Sequence, residues 1–290
     1  MDLLCIGDVM VDVLADAHEL ARGGDVHGRV RIPPGGTSAN AAVWAVWDGA
    51  QARVHGGVGT DIAGRLLREA LGDRGVKMQL TPYPDAPTGA MLVMGEPGER
   101  SMVADRGANA RLRPDALPGM LVCGAVLVSG YLLLHEDTHD TAMAAFERAV
   151  TPLVAVEAAS WPLIETFGVD RFFASTERAT VILANDREAE VLTGLTGEEA
   201  ARALSAHFPL ACVKQGADGA TLVADGEVHR AEAERIEEVD PTGAGDAFDG
   251  VLLAALARGI AVDDALRRAC HAGALAAATS GSWPPEGAEP

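Results

Sequence analysis

The stretch DPTGAGDAFDG, Asp240 to Gly250, runs straight into the apolar segment Val251 to Ala257, and its reading decides the fold. Gly243, Ala244 and Gly245 are small enough for the backbone to turn tightly and approach a ligand, and from Ala247 the pattern is helical until Arg258 and Gly259. A Gly-rich turn feeding a helix N-terminus presents unpaired amide N–H groups and the positive end of the helix dipole, a place for an anion. Asp246 stands beside those amides, where a lone acid would repel an anion unless it accepts a proton from a group attacking that anion. The pattern reads as an anion hole with a general base. The simpler alternative is an Asp capping a Gly turn.

Two commoner phosphate motifs fail. A P-loop needs Lys followed by Ser or Thr, but Lys77 and Lys214 precede Met78 and Gln215. The dinucleotide fingerprint GxGxxG breaks at Phe248, where its third glycine would stand.

Working outward, 290 residues with 48% hydrophobic content suit a packed globular protein of one large α/β domain or two small ones. A formal charge of −19 without a basic run sets nucleic acid and anionic membranes aside as partners, since the electrostatic term is repulsive. Cys5, Cys123, Cys212 and Cys270 are far apart and form no CxxC, so they read as core residues of a reducing compartment. MDLLCIGD has no basic start and reads as a first strand, not a signal peptide; a cytoplasmic protein is expected.

Leu3 to Ile6 is a short apolar run ended by Gly7-Asp8, as in a strand buried on both faces. Arg29 to Ile32 alternates charged and β-branched residues, which suits a strand with one wet face. After Pro33-Pro34-Gly35-Gly36, Thr37 or Ser38 is expected to cap a buried helix to Trp47 whose one polar interruption is Asn40. Asp61 is expected to cap a helix from Ile62. Met91 to Met94 and Arg100 to Ala104 flank Pro97-Gly98, a type II hairpin signal. From Leu121, apolar runs (121–128, 153–156, 181–183, 211–213) alternate with helical segments, predicting a mostly parallel sheet covered on both faces. A hairpin about Asp225-Gly226 and two final helices close the chain.

DPTGAGDAF closely resembles the C-terminal signature of the ribokinase-like (PfkB) carbohydrate kinases, D-T-x-G-A-G-D-x-F, with Pro241, Asp249 and Val251 as departures. The likeness spans nearly the whole chain: IGDVMVDV resembles the first strand with a substrate-binding Asp, here Asp12, and PPGGTSANAA resembles G-G-x-x-x-N, here Gly35, Gly36 and Asn40. GGVGTD resembles G-x-G-x-D, and Asn185-Asp-Arg-Glu188 resembles N-x-x-E, whose Glu organises magnesium through water. Lys214-Gln-Gly216-Ala-Asp-Gly219 resembles the loop for ribose and phosphates, and His271 falls near the expected adenine.

The resemblance implies a doubly wound α/β sheet with a small β lid from about residues 12–34 and 87–106. It also implies ATP with Mg2+, and K+ beside the anion hole through Asp240 and Thr242. The expected reaction moves the γ-phosphoryl group of ATP to a sugar hydroxyl. Asp246 is the base, the amides of Gly243 to Asp246 form the hole, and Asp12, Gly35, Gly36, Asn40 and the lid residue Arg106 hold the sugar. Alternatives are a nucleoside kinase, disfavoured by 4% aromatics, and a sugar-binding regulator without catalysis. Pairing of lids would make a homodimer.

Overall fold

The computed structural model describes residues 2–17, 23–96 and 99–290; the Pro97-Gly98 turn lies outside them. Its main sheet has nine strands, and the first in the chain, Leu3–Ile6, lies inside it with two strands on one side and six on the other. On one side lie Ala52–Gly59 and then Lys77–Tyr83. On the other lie Ala125–Val128, Leu153–Glu157, Val181–Asn185 and Leu210–Lys214, all parallel. Ala220–Ala224 and Glu227–Ala231 extend that edge antiparallel, joined at Asp225 (φ 49°) and Gly226 (φ 83°), the paired positive φ values of a tight hairpin turn.

Strand alternation builds a core on each face. Leu4, Ile6, Val126 and Val128 pack into one core, while Leu3, Cys5, Ala125 and Leu127 pack into the other. Because the chain enters at an interior strand and winds first to one side and then to the other, its topological switch point lies between Leu3–Ile6 and Ala125–Val128. In open α/β sheets, ligands bind outside the carboxyl ends of the strands at that point. A second, smaller sheet rises beyond it, with Met10–Ala17 parallel to Gly89–Glu96, which pairs antiparallel with Glu99–Asp105. Gly28–Arg31 and Pro34–Gly35 also pair with Met10–Ala17.

Several boundaries differ from the sequence reading. Leu121 to Val128 is two short strands broken at Gly124, where a Cβ would meet the Ala257 methyl at 2.8 Å. The Asn40 helix, Thr37–Trp47, is not capped by Thr37 or Ser38: its N-cap is Gly36, whose φ of 95° and contact with the Asp8 carbonyl exclude a side chain. Thr37 bonds Ser129 at 3.1 Å instead, and the buried Ser38 hydroxyl has no hydrogen-bond partner among the described residues. Asp61 does cap its helix, accepting from Gly64 at 2.9 Å.

The Asp246 helix, Ala244–Ala257, starts three residues earlier than its periodicity suggests. It packs on the Asn40 helix through Gly250, where an added Cβ would collide with the Ala41 carbonyl. A backbone oxygen cannot step aside without moving its helix. Gly250→Ala is therefore expected to cost about 1–3 kcal/mol, read as a lower denaturation midpoint. An unchanged midpoint would refute this helix packing.

Candidate active site

Five parallel strands, the two flanking the switch point and the three beyond Ala125–Val128, have their carboxyl ends on one side of the sheet. They end at Gly7-Asp8, Ser129, Glu157, Asn185 and Lys214; Ser129 and Glu157 line a small crevice with Asp246 and Asp249 of the Asp246 helix, and Lys214 bonds Asp249. That helix begins at Gly243, which sits at φ 81° with no side chain capping the first turn. A Cβ on Gly243 would lie 2.7 Å from that of Ser282, so the residue must be small both for its dihedral and for its neighbour. The uncapped first-turn amides suit phosphate oxygens.

Asp246 lies in that first turn, partly buried, and its Oδ2 accepts from Asn40 Nδ2 at 2.7 Å. Burial pushes its pKa up to about 7; the Asn40 bond and Lys214 oppose that rise, while Asp249 and Asp12 add to it. Such a carboxyl is poised to take a proton near neutral pH. Asp12 is buried, and burial, with Asp240 nearby, raises it to about 6. Its carboxylate lies across Gly35, where any Cβ would overlap it. Asp240 is itself buried, and its Oδ1 accepts from the Thr242 amide at 3.0 Å.

Lys214 turns inward. Its Nζ bonds both oxygens of Asp249, at 2.9 and 2.8 Å, and would lie 3.4 Å from a Cβ on Gly245. Glu157 and Glu188 also act on it, so one lysine serves a group of carboxylates whose pKa values burial raises. Asn185 and Glu188 form a reciprocal capping box: Glu188 accepts from the Asn185 amide at 2.8 Å and its Nδ2 at 2.7 Å, while Asn185 Oδ1 accepts from the Glu188 amide at 3.0 Å. The hard carboxylate and amide oxygens here fit Mg2+ carried in on phosphates. Among the described residues no three His, Cys, Asp or Glu group to hold a metal ion.

The remaining expected residues are placed differently. Arg106 is mostly buried and gives Nε and Nη2 to the two oxygens of buried Asp8, at 2.9 and 2.8 Å, and Nη1 to Thr138 at 3.3 Å. Its ion-pair partner is Asp8, on the first strand's exit, and not the neighbouring Asp105. Gly216 (φ 57°) faces open space, as a ligand-facing turn needs, whereas Gly219 (φ 90°) is required by the Ala231 carbonyl packed against it. His271 is turned to Glu234 at 2.8 Å and stacks on Trp47 at 6.0 Å.

Sequence reasoning missed Asp8, Ser129, Glu157 and Trp283 as members of the site. The first three share one legible signal, since each stands where an apolar strand ends, the position that faces ligand in a parallel sheet.

A family model described as pfkB family carbohydrate kinase matches residues 1–286, and the chain belongs to that family. It is thus a carbohydrate kinase, a phosphotransferase with an alcohol group as acceptor. The chain is 27% identical over 97% of its length to a ribokinase of Bacillus subtilis (strain 168), covering 94% of that protein. It is 29% identical over 80% of its length to an aminoimidazole riboside kinase of Salmonella typhimurium, covering 76% of that one. An E. coli protein solved in complex with ATP and Mg2+ superposes with a TM-score of 0.85 at 22% identity, over 97% of this chain and 94% of that one, a shared fold. No helix among the described residues is long and apolar enough to cross a membrane.

Proposed function

We propose that the protein transfers the γ-phosphoryl group of ATP to a hydroxyl of a small neutral sugar. The observation that carries this reading is Asp246 at an uncapped helix N-terminus, tied by one oxygen to Asn40. The acceptor hydroxyl sits against Asp246 and yields its proton as its oxygen bonds to phosphorus and the bond to ADP breaks. The amides of Gly243 to Asp246 face the charge that develops on the transferred group. Asp12, held against Gly35, and the backbone at Gly36 orient the sugar, with Arg106 at the margin. The turn at Gly216, with Gly219 and His271, lies along the nucleotide side. Mg2+ bound with ATP would neutralise phosphate charge; Glu188, with Asn185 fixing its rotamer, and Lys214 border that region. A monovalent cation at Asp240 and Thr242 would relieve the repulsion between Asp240 and Asp12.

Arg106 bears on the substrate's charge. Asp8 answers its guanidinium with two bonds, so the pair is neutral as a unit and offers little to a carboxylate or phosphate. ADP release over a panel of neutral sugars, sugar acids, sugar phosphates and nucleosides tests the reading. Turnover is expected with a neutral sugar and poor activity with sugar phosphates; a sugar phosphate as best substrate would refute it. The rival is a nucleoside acceptor, supported by the aminoimidazole riboside kinase relative and by Tyr131, close enough to Asp8 and Asp246 to feel both charges.

Exposed Val30, Ile32, Met102 and Val103 on the small sheet support its role as a lid that pairs between two subunits. Sedimentation as a monomer would count against that pairing.

A further inference from the structure

The segment after the last helix (Val262–Ala277) returns to the site and is held there by indole groups. Trp44 Nε1 donates to the Ser282 carbonyl and Trp47 Nε1 to the Ala288 carbonyl, each at 2.9 Å and each from the Asn40 helix. Trp283 reaches back the other way: its Nε1 donates at 2.9 Å to Oδ1 of Asn40. The opposite prong of the same amide, Nδ2, donates at 2.7 Å to Asp246 Oδ2.

An indole N–H can only donate, so the atom of Asn40 that faces it must be the oxygen. The NH2 end then has to face Asp246. With that donor removed, only the bond to Asp246 itself would hold the amide's orientation, and its oxygen would be left without the N–H that fixes it. The ring of Trp283 is itself fixed. It packs against the core beneath the Asn40 helix, and the Arg74 guanidinium lies 5.8 Å from its centre while bonding the Pro284 carbonyl at 2.8 Å.

We infer that Trp283 is a positioning residue for phosphoryl transfer: its indole N–H holds the Asn40 amide with the NH2 end toward Asp246, securing Oδ2 and leaving Oδ1 for the acceptor hydroxyl. This rests on Asp246 being the base. The N–H favours the ionised carboxylate, so the effect of Trp283 is read in pH dependence rather than in overall rate.

The test is kcat/KM for the best sugar against pH in two variants. One is Trp283→Phe. The other places the benzothiophene analogue of tryptophan at 283, which keeps the ring size and exchanges N–H for sulfur, so packing and folding are preserved. In both, the acid limb is expected to move up by about 0.5–1 pH unit, part of the roughly 1–2 units that a whole lost bond to a charged group is worth. In an Asn40→Ala background, either replacement should move it no further. A limb that stays in place, a uniform loss at every pH, or a further shift in the Asn40→Ala background would each overturn the inference. Failure of the underlying reading looks different: Asp246→Asn would then turn over sugar at near the normal rate whatever stands at 283.

Discussion

Asp246→Asn is expected to lower turnover by about a hundredfold to ten-thousandfold while ATP binding persists, because the substitution keeps the shape and removes the proton acceptor. The Asn40 contact lies at 2.7 Å and an amide can still occupy that place, so the geometry of the helix N-terminus should survive. Near-normal turnover would sink the assignment. In the parent enzyme, Asp246 must be ionised to act, and its pKa is raised to about 7, so kcat/KM should climb with pH and level off above neutrality. The same shift has a stability consequence of opposite sense. Between the ordinary Asp range and about 7 the folded state binds a proton that the unfolded chain has released, so stability falls as pH rises through that window. Asp246→Asn should therefore raise the melting midpoint at pH 8, and a midpoint below that of the parent would contradict the burial cost.

Lys214→Met is expected to destabilise the fold by about 3–5 kcal/mol, since it strands a buried carboxylate. Asp249 is 1% exposed, and Lys214 supplies both of its side-chain bonds among the described residues. Glu157, Glu188 and Asp246 also feel the lysine, and each would lose the charge that offsets its burial. Because those carboxyls carry raised pKa values, the variant should regain stability as pH falls and they take up protons. Lys214→Met with Asp249→Leu should recover most of the loss, as replacing a whole buried pair is often neutral. Urea denaturation of the single and double variants measures this. A single variant within about 1 kcal/mol of the parent would show that the pair is not buried in solution.

The sheet and the Gly-rich start of the Asp246 helix were legible because their determinants are local. Apolar runs spaced by helical segments demand a parallel sheet covered on both faces, and Gly243-Ala-Gly245-Asp246 opening a helix can be read from adjacent residues. Asp61 as a cap was legible for the same reason, its acceptor lying three residues away. The cap of the Asn40 helix was misassigned to Thr37 or Ser38, because what makes Gly36 the N-cap and excludes a side chain there is the Asp8 carbonyl, a neighbour only after folding.

Arg106 shows where local reading stops. The family resemblance and its place on the returning lid strand pointed to a sugar contact, but its partner Asp8 is 98 positions away and is supplied by the sheet's switch point. Lys214 and Asp249 are 35 apart, Asn40 and Asp246 are 206 apart, and Trp283 and Asn40 are 243 apart. Sequence by itself determined which elements form and which Gly-rich turn and carboxylate open the Asp246 helix. Tertiary structure decided which charges are cancelled and which carboxylate is raised to about 7. Such shifts come from burial and from charges a few ångströms away, and those distances exist only once remote segments share one crevice.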